Sequence, residues 1–135
     1  MPLTPNNDLT HRAIDCAIEV HRQLGPGLLE GVYEICLCEE LASCTLTFTR
    51  QRSLAVVYKG KPLNLRYQLD IIVEESLVIE IKAVQQILPV HEAQLQTYLC
   101  LSGFPLGLLM NFNVARMKDR IRRVLAPDAV SHYVR

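Results

Sequence analysis

Tyr67-Gln-Leu-Asp-Ile-Ile-Val-Glu-Glu-Ser-Leu-Val-Ile-Glu-Ile-Lys82 is the stretch that decides how this chain folds. Apolar residues alternate on both sides of a polar break, Glu74-Glu75-Ser76, which predicts a β-hairpin. Leu69, Ile71, Val73, Leu77, Ile79, Ile81 and Ala83 share one parity and so one face. Asp70, Ile72, Val78, Glu80 and Lys82 share the other. With the turn centred near Glu75, Asp70 lies opposite Glu80. Directly opposed Cβ atoms are about 4.5–5.5 Å apart, and like charges there are destabilising. Two facing carboxylates in so apolar a strand pair call for a reason, and a divalent cation between them is the simplest, because hard cations take carboxylate oxygens. Lys82 projects from the same face. The structural alternative is a solvated strand face carrying a Glu–Lys pair and a lone Asp.

Around that hairpin stands a chain of 135 residues, half of them apolar, with no net charge. The length suggests one domain with a sizeable core, its folded part about residues 8–125, and the composition argues against disorder. No apolar run approaches the roughly 20 residues of a membrane span, so no membrane partner is expected. The N-terminus lacks a basic region followed by an apolar stretch, and a cytoplasmic location is the default expectation. Five cysteines, an odd number, argue for reduced thiols. Cys36 and Cys38 lie two apart in a helical segment and point different ways, so they are expected to be core residues rather than metal ligands. Basic residues cluster as Arg50, Arg52, Lys59, Lys61 and Arg66, and again as Arg116, Lys118, Arg120, Arg122 and Arg123. Such runs are solvated faces or phosphate contacts, and a neutral total separates neither reading.

The pattern predicts a frayed lead-in over 1–7. A helix capped at Asn7 or Asp8 follows, running to about Leu24 with a stripe of Leu9, Ala13, Ile14, Ala17, Ile18 and Leu24. Gly25-Pro26-Gly27 ends it. A second helix over about 29–43 is expected to offer Val32, Ile35, Cys36 and Leu41 to the core. Strands are predicted at 45–51 and 53–59, a turn at Gly60-Lys61-Pro62, the long hairpin over 63–83, a helix over 90–102 and a central apolar strand at 106–111. Residues 117–125 suit an edge strand or a short helix, and 126–135 a loose tail. The expected architecture is one α/β domain, a central mixed β-sheet flanked by helices.

Asp70 followed by Glu80-Ile81-Lys82 resembles the motif of the PD-(D/E)XK nuclease superfamily, with Leu69 where proline gives the motif its name. Gln94-Leu-Gln-Thr-Tyr98 is similar to the Q-x-x-x-Y motif of RecB-type members. Gly27-Leu-Leu-Glu30-Gly-Val-Tyr33 matches the signature of the GxxExxY family of small bacterial proteins. His21-Arg-Gln-Leu-Gly-Pro-Gly27, Val57-Tyr-Lys-Gly60, His91-Glu-Ala-Gln94 and Leu108-Leu-Met-Asn-Phe112 also look like that family, over roughly residues 10–125.

The resemblance implies Mg²⁺ or Mn²⁺ on Asp70 and Glu80, with a helical acid, Glu30, completing the metal site. It implies that Lys82 assists attack of water on a phosphodiester, and that Gln94 and Tyr98 position water or contact the nucleic-acid backbone. Tyr33 is expected to pack, with its hydroxyl tethering the site. His91 is a weaker candidate, since a lone helical histidine is usually structural. An iron–sulfur cluster of the kind some RecB-type proteins carry is not expected, because Cys100 alone follows Tyr98 among the cysteines.

The expected function is a metal-dependent nuclease acting on DNA ahead of RNA. It would lack strong sequence preference, since no groove-reading element is evident. A homodimer or a partner subunit would let so small a domain engage both strands. The alternatives are an inactive nucleic-acid- or protein-binding module on the same scaffold, or a metal-dependent phosphoesterase acting on a small nucleotide.

Overall fold

The computed structural model describes residues 5–127. Two helices come first, α1 (Pro5–Leu24) and α2 (Glu30–Ser43), then three strands, β1 (Phe48–Tyr58), β2 (Lys61–Val73) and β3 (Leu77–Lys82). Helix α3 (Pro89–Ser102) leads to β4 (Leu106–Asn111), a 3₁₀ turn (Met117–Arg120) and β5 (Ile121–Leu125). The five strands form one mixed sheet in chain order. β3 and β4 are parallel, and the other neighbours are antiparallel. A parallel pair needs a crossover, and α3 supplies it as a βαβ unit.

The sheet is covered on both faces. α1 and α2 bury Ala13, Ala17, Val20, Leu37 and Leu41 against Ile71, Val73, Ile79, Leu108 and Met110. α3 buries Leu95 and Leu99 against Leu69, Ile72, Val78 and Leu109. This explains why β3 and β4 are continuous apolar runs: each has helices above and below it. α3 comes so close that a Cβ added at Gly107 would lie 3.0–3.1 Å from the Leu95 side chain. A side chain at that position would have to push Leu95 back by a few tenths of an ångström.

The expected architecture holds, with local differences. α1 already runs at Pro5, a residue suited to a first helical turn, so Asn7 and Asp8 lie within the helix rather than capping it. Its buried stripe includes Leu9, Ala13, Cys16, Ala17 and Val20, while Leu24 is exposed. In α2, Val32 and Ile35 are exposed at 41% and 47%, contrary to expectation. The helix is turned so that Tyr33, Leu37 and Leu41, spaced four apart, face the core, bringing Glu34 and Cys38 inward with them. The ring of Tyr33 fixes that rotation by stacking on Phe112, with centroids 4.7 Å apart.

The two strands expected over 45–59 are one, β1, and the predicted break at residue 52 falls beside a kink at Gln51, whose φ is +53°. Residues 117–125 supply both expected alternatives, a 3₁₀ turn and then an edge strand. Of the lead-in and tail, residues 1–4 and 128–135 lie outside the described part. Among the described residues, no helix is long and apolar enough to cross a membrane.

Candidate active site

The hairpin turn is where the alternation placed it. Ile71 pairs with Ile79, Ile72 with Val78 and Val73 with Leu77. Glu74 and Glu75 take positive φ, 53° and 48°, the handedness that suits a tight hairpin. The Glu74 carboxylate accepts hydrogen bonds from the Thr47 N–H and hydroxyl, both at 2.6 Å, and Arg52 pairs with Glu75, so the turn is tied to β1.

At Asp70 the ladder changes. The Ile81 N–H donates to Asp70 Oδ2 at 2.8 Å, and the Asp70 N–H donates to Glu80 Oε1 at 3.2 Å. Side-chain carboxylates thus take backbone donors that the strand pairing would otherwise use. On the other side of Asp70, Gln51 adopts its left-handed conformation where β1 should pair straight across. The simple parity of the hairpin is broken as a result. Leu69 packs with Ile72, Val78, Leu95 and Leu99 on the α3 face, not with Ile71 and Val73. The alternation slips by one residue at Asp70, although the β1–β2 register is the same on either side, Arg50 with Ile71 and Arg52 with Leu69.

The slip brings the two acids together where β2 and β3 part. Burial raises the Glu80 carboxyl to about 8, with the Asp70 charge adding to the push. Burial also raises Asp70, with a further upward contribution from the Glu34 and Glu30 charges. Lys82, the last residue of β3, is half-buried and acts on Glu80 in the opposite direction. Glu30 stands exposed in the first turn of α2, and its charge reaches both Asp70 and Glu80.

From α3, Tyr98 leans over the site, its ring 5.1 Å from that of Tyr67. Burial first, and then the Glu80 carboxylate, hold its phenol above the ordinary range, so at neutral pH it is a hydrogen-bond donor. Gln94 is one turn earlier on the same side of α3. It is exposed, and no hydrogen bond joins it to Asp70, Glu80 or Lys82. His91 is structural: its Nδ1 accepts the Leu88 N–H at 2.9 Å and caps α3.

Two residues stand beside the acids that sequence reasoning did not single out. Glu34 is buried, pairs with Arg50 at 2.7 Å and accepts from Gln51 Nε2 at 3.0 Å. The same Gln51 nitrogen donates to Asp70 Oδ1 at 3.3 Å. Gln51 therefore bridges α2 to the acid-bearing hairpin from a strained backbone position. The signals were faint: Glu34 lies one helical turn from Glu30, and Gln51 sits beside the break predicted between two strands.

The Gly25-Pro26-Gly27 turn is held from below. The Tyr33 hydroxyl donates to the Gly25 carbonyl at 2.6 Å and accepts the Leu28 N–H at 3.1 Å. Gly27 has φ +99°, which only glycine adopts readily. Gly27, Glu30 and Tyr33 therefore work as a set: the turn aims α2, and the phenol fixes the turn. Tyr33→Phe keeps the ring stack but loses both bonds. It is expected to lower unfolding free energy by about 1 kcal/mol with an unchanged denaturant slope, measured by urea titration.

Comparison with known proteins agrees with this geometry. The family model of the PD-(D/E)XK nuclease superfamily matches residues 7–124. The chain belongs to that superfamily. Its members are mostly nucleases, and they typically use divalent metals such as Mg²⁺. No curated protein matches the sequence. A solved structure described as the crystal structure of SSO0001 shares the fold, with a TM-score of 0.57 and 22% identity. The match covers 78% of this chain and 54% of that one, so the chain spans about half the length of that relative.

The donor set suits the metals of the superfamily. Two desolvated carboxyls converge, the Asp70 charge adding to the push on Glu80 and the Glu34 and Glu30 charges to that on Asp70, and a cation would relieve both burial and repulsion. Among the described residues, no three His, Cys, Asp or Glu side chains form a ready-made cage. Mg²⁺ does not need one, since it usually keeps several waters and takes one or two carboxylates.

Proposed function

We propose that this protein is a metal-dependent nuclease of the GxxExxY family, hydrolysing phosphodiester bonds of DNA ahead of RNA without strong sequence preference. The observation that carries the reading is the pair of desolvated carboxylates, Asp70 and Glu80, at the parting of β2 and β3 with Lys82 one alternation along.

Asp70 and Glu80 would hold Mg²⁺ or Mn²⁺, with Glu30 within reach as a further oxygen donor. When bound, such a cation lowers the pKa of water and polarises the phosphoryl oxygen. Lys82 contributes a positive charge where the attacked phosphate becomes more negative. Tyr98, protonated, donates to a phosphate oxygen, and Gln94 offers an amide on the same rim. In hydrolysis the water oxygen bonds to phosphorus, the bond to the leaving sugar oxygen breaks, and that oxygen takes up a proton.

The order of Gly27, Glu30 and Tyr33, held by the Tyr33 bonds, supports the family assignment. All five cysteines are free thiols, which suits a reducing cytoplasm.

The test is a panel of single-stranded, duplex, nicked and flap DNA, with matching RNA, in Mg²⁺, Mn²⁺, Ca²⁺ or chelator. Cleavage is expected in Mg²⁺ or Mn²⁺, none in chelator, and little in Ca²⁺, whose loose coordination poorly fixes the attacking water. No cleavage of any substrate, with Mn²⁺ nonetheless bound by calorimetry, would favour a binding module on this scaffold.

A further inference from the structure

The hairpin of β1 and β2 outgrows the sheet. β3 pairs with β2 only from Ile71 to Val73, whereas β1 and β2 pair with each other out to Tyr58 and Lys61. The body of the protein follows them as far as the Leu54–Tyr67 pair. There Leu54 packs on the α3-side core and Tyr67 rests against Tyr98. From Val57 to Arg66 every residue is exposed. Leu54 to Tyr58 is four residues, so the free ribbon reaches about 13 Å past the body. Its turn, Lys59-Gly60, takes positive φ at both positions, +51° and +74°, as a two-residue hairpin loop of matching twist requires. Its register shifts between Ala55 and Val57, an irregularity of the kind that bends a strand pair.

This ribbon is basic and apolar at once. From Gln51 to Leu69 the sequence has no acid. Among the described residues, no ion pair holds the side chain of Lys59, Lys61 or Arg66. The Lys59 ammonium stands 5.5 Å from the Tyr58 ring, a contact that leaves its charge uncompensated. Tyr58, Leu63 and Leu65 are exposed beside these cations. Three cations with no acid to offset them complement a polyanion. The shape narrows the choice further. Two strands about 4.8 Å apart make a ribbon that the roughly 12 Å major groove of duplex DNA admits. A wall of phosphates then runs along each side of the ribbon, and the exposed apolar side chains meet sugars and base edges. The ribbon also starts beside the acids, since Tyr67 is three residues, about 10 Å of strand, from Asp70.

We propose that the projecting ribbon, residues 55–66, is the element by which this protein grips duplex DNA, lying in a groove with Lys59, Lys61 and Arg66 on the phosphates of its walls. The choice of DNA rests on the nuclease reading, and the ribbon narrows it to a duplex, because a single strand has no groove. Contacts to phosphates fix orientation without reading sequence, which agrees with a small domain of little sequence preference. The three cations hold the duplex and leave the reacting atoms to the acid pair, so the ribbon is read by binding rather than by cleavage.

The experiment compares the unaltered protein with Lys59→Asn/Lys61→Gln/Arg66→Gln, three exposed positions, asparagine being a residue that suits the turn. Fluorescence anisotropy follows a labelled duplex of about two helical turns, roughly 20 base pairs, and its single strand, in Ca²⁺ across a salt series. The triple variant is expected to bind the duplex roughly ten-fold or more weakly at about 100 mM salt, with a salt slope shallower by about 0.9 for each phosphate it no longer neutralises. Single-strand affinity should stay within about two-fold, and Mn²⁺ affinity by calorimetry should be unchanged. Equal duplex affinity and slope would overturn the proposal, leaving the lysines as guards of an exposed strand edge, and would leave the nuclease reading to the cleavage panel. Equal losses on duplex and single strand would also overturn it, reducing the ribbon to a source of general charge attraction. Self-association that Leu65→Gln abolishes, with duplex binding intact in that variant and in the triple variant, would give the ribbon to a second copy of the chain instead. If the triple variant does not fold, Lys61→Glu alone sets a repelling charge beside the turn. That change should weaken duplex binding more than single-strand binding, and unweakened duplex binding would count against the ribbon.

Discussion

Lys82→Ala is expected to slow single-turnover cleavage by about 10²–10³-fold while Mn²⁺ still binds. The split follows from the chemistry of the side chain. A charged lysine has three donors and no acceptor, so it cannot be a metal ligand, and its contribution lies with the developing charge on phosphate. The backbone there does not depend on the side chain. Lys82 pairs with Asn111, and its carbonyl accepts the Phe112 N–H at 2.9 Å. Truncation of a half-buried side chain at the end of a strand should therefore leave the sheet intact. Asp70→Asn is the contrasting variant, expected to lose metal binding and cleavage together. If Lys82→Ala cleaves as fast as the unaltered protein, Lys82 is only a counter-charge to Glu80. If it loses Mn²⁺ binding as Asp70→Asn does, its role is to hold the carboxylates in place.

What could be read from the sequence was whatever depends on periodicity. The hairpin register, the crossover helix and the buried β4 follow from alternation, from Pro89 and from an uninterrupted apolar run. Asp70 and Glu80 meet just beyond that register, which ends at Ile71 and Ile79, through carboxylate-to-backbone bonds. Periodicity fails where tertiary bonds override it. Leu69 changes face because Asp70 and Glu80 spend their carboxylates on backbone donors, which no pattern of apolar residues records. Val32 and Ile35 point outward because one aromatic stack fixes the rotation of α2, and Tyr33 was expected to pack but not to decide that angle. Gln51 and Glu34 escaped because their importance is a meeting of residues distant in sequence. In the middle basic cluster, Arg50 pairs with Glu34 and Arg52 with Glu75.

The metal-free protein is expected to lose stability as pH rises from about 5 to 8, with Mn²⁺ restoring it. The sign comes from proton linkage. Glu80 is raised from 4.5 to about 8 in the folded state, chiefly by burial, and Asp70 is raised with it. Between those values the folded protein holds more protons than the unfolded chain, so unfolding free energy falls with pH across that window. Below about 4.5 both states are protonated and the advantage is complete. Above about 8 it is gone. At 1.36 kcal/mol per unit, the loss is of the order of a few kcal/mol, or about 10 °C in melting temperature for a domain of this size. The other shifted groups act elsewhere: Glu19, Glu74 and Glu75 are lowered and matter only in acid, and Cys16, Cys38, Tyr98 and Arg52 are raised and matter only in alkali. The decisive comparison is with Glu80→Gln, which keeps the shape and removes the titration. That variant should have a flatter pH profile and melt higher than the unaltered protein at pH 8 in chelator. Mn²⁺ at a hundred times its dissociation constant should add about 2.7 kcal/mol to the unaltered protein and far less to the variant. Because protons compete for the same oxygens, the Mn²⁺ effect at fixed concentration should be larger at pH 8 than at pH 6. Parallel profiles for the two proteins in chelator would mean that the Glu80 carboxylate is hydrated in solution, and the electrostatic case for a cation between the two strands would fall with it.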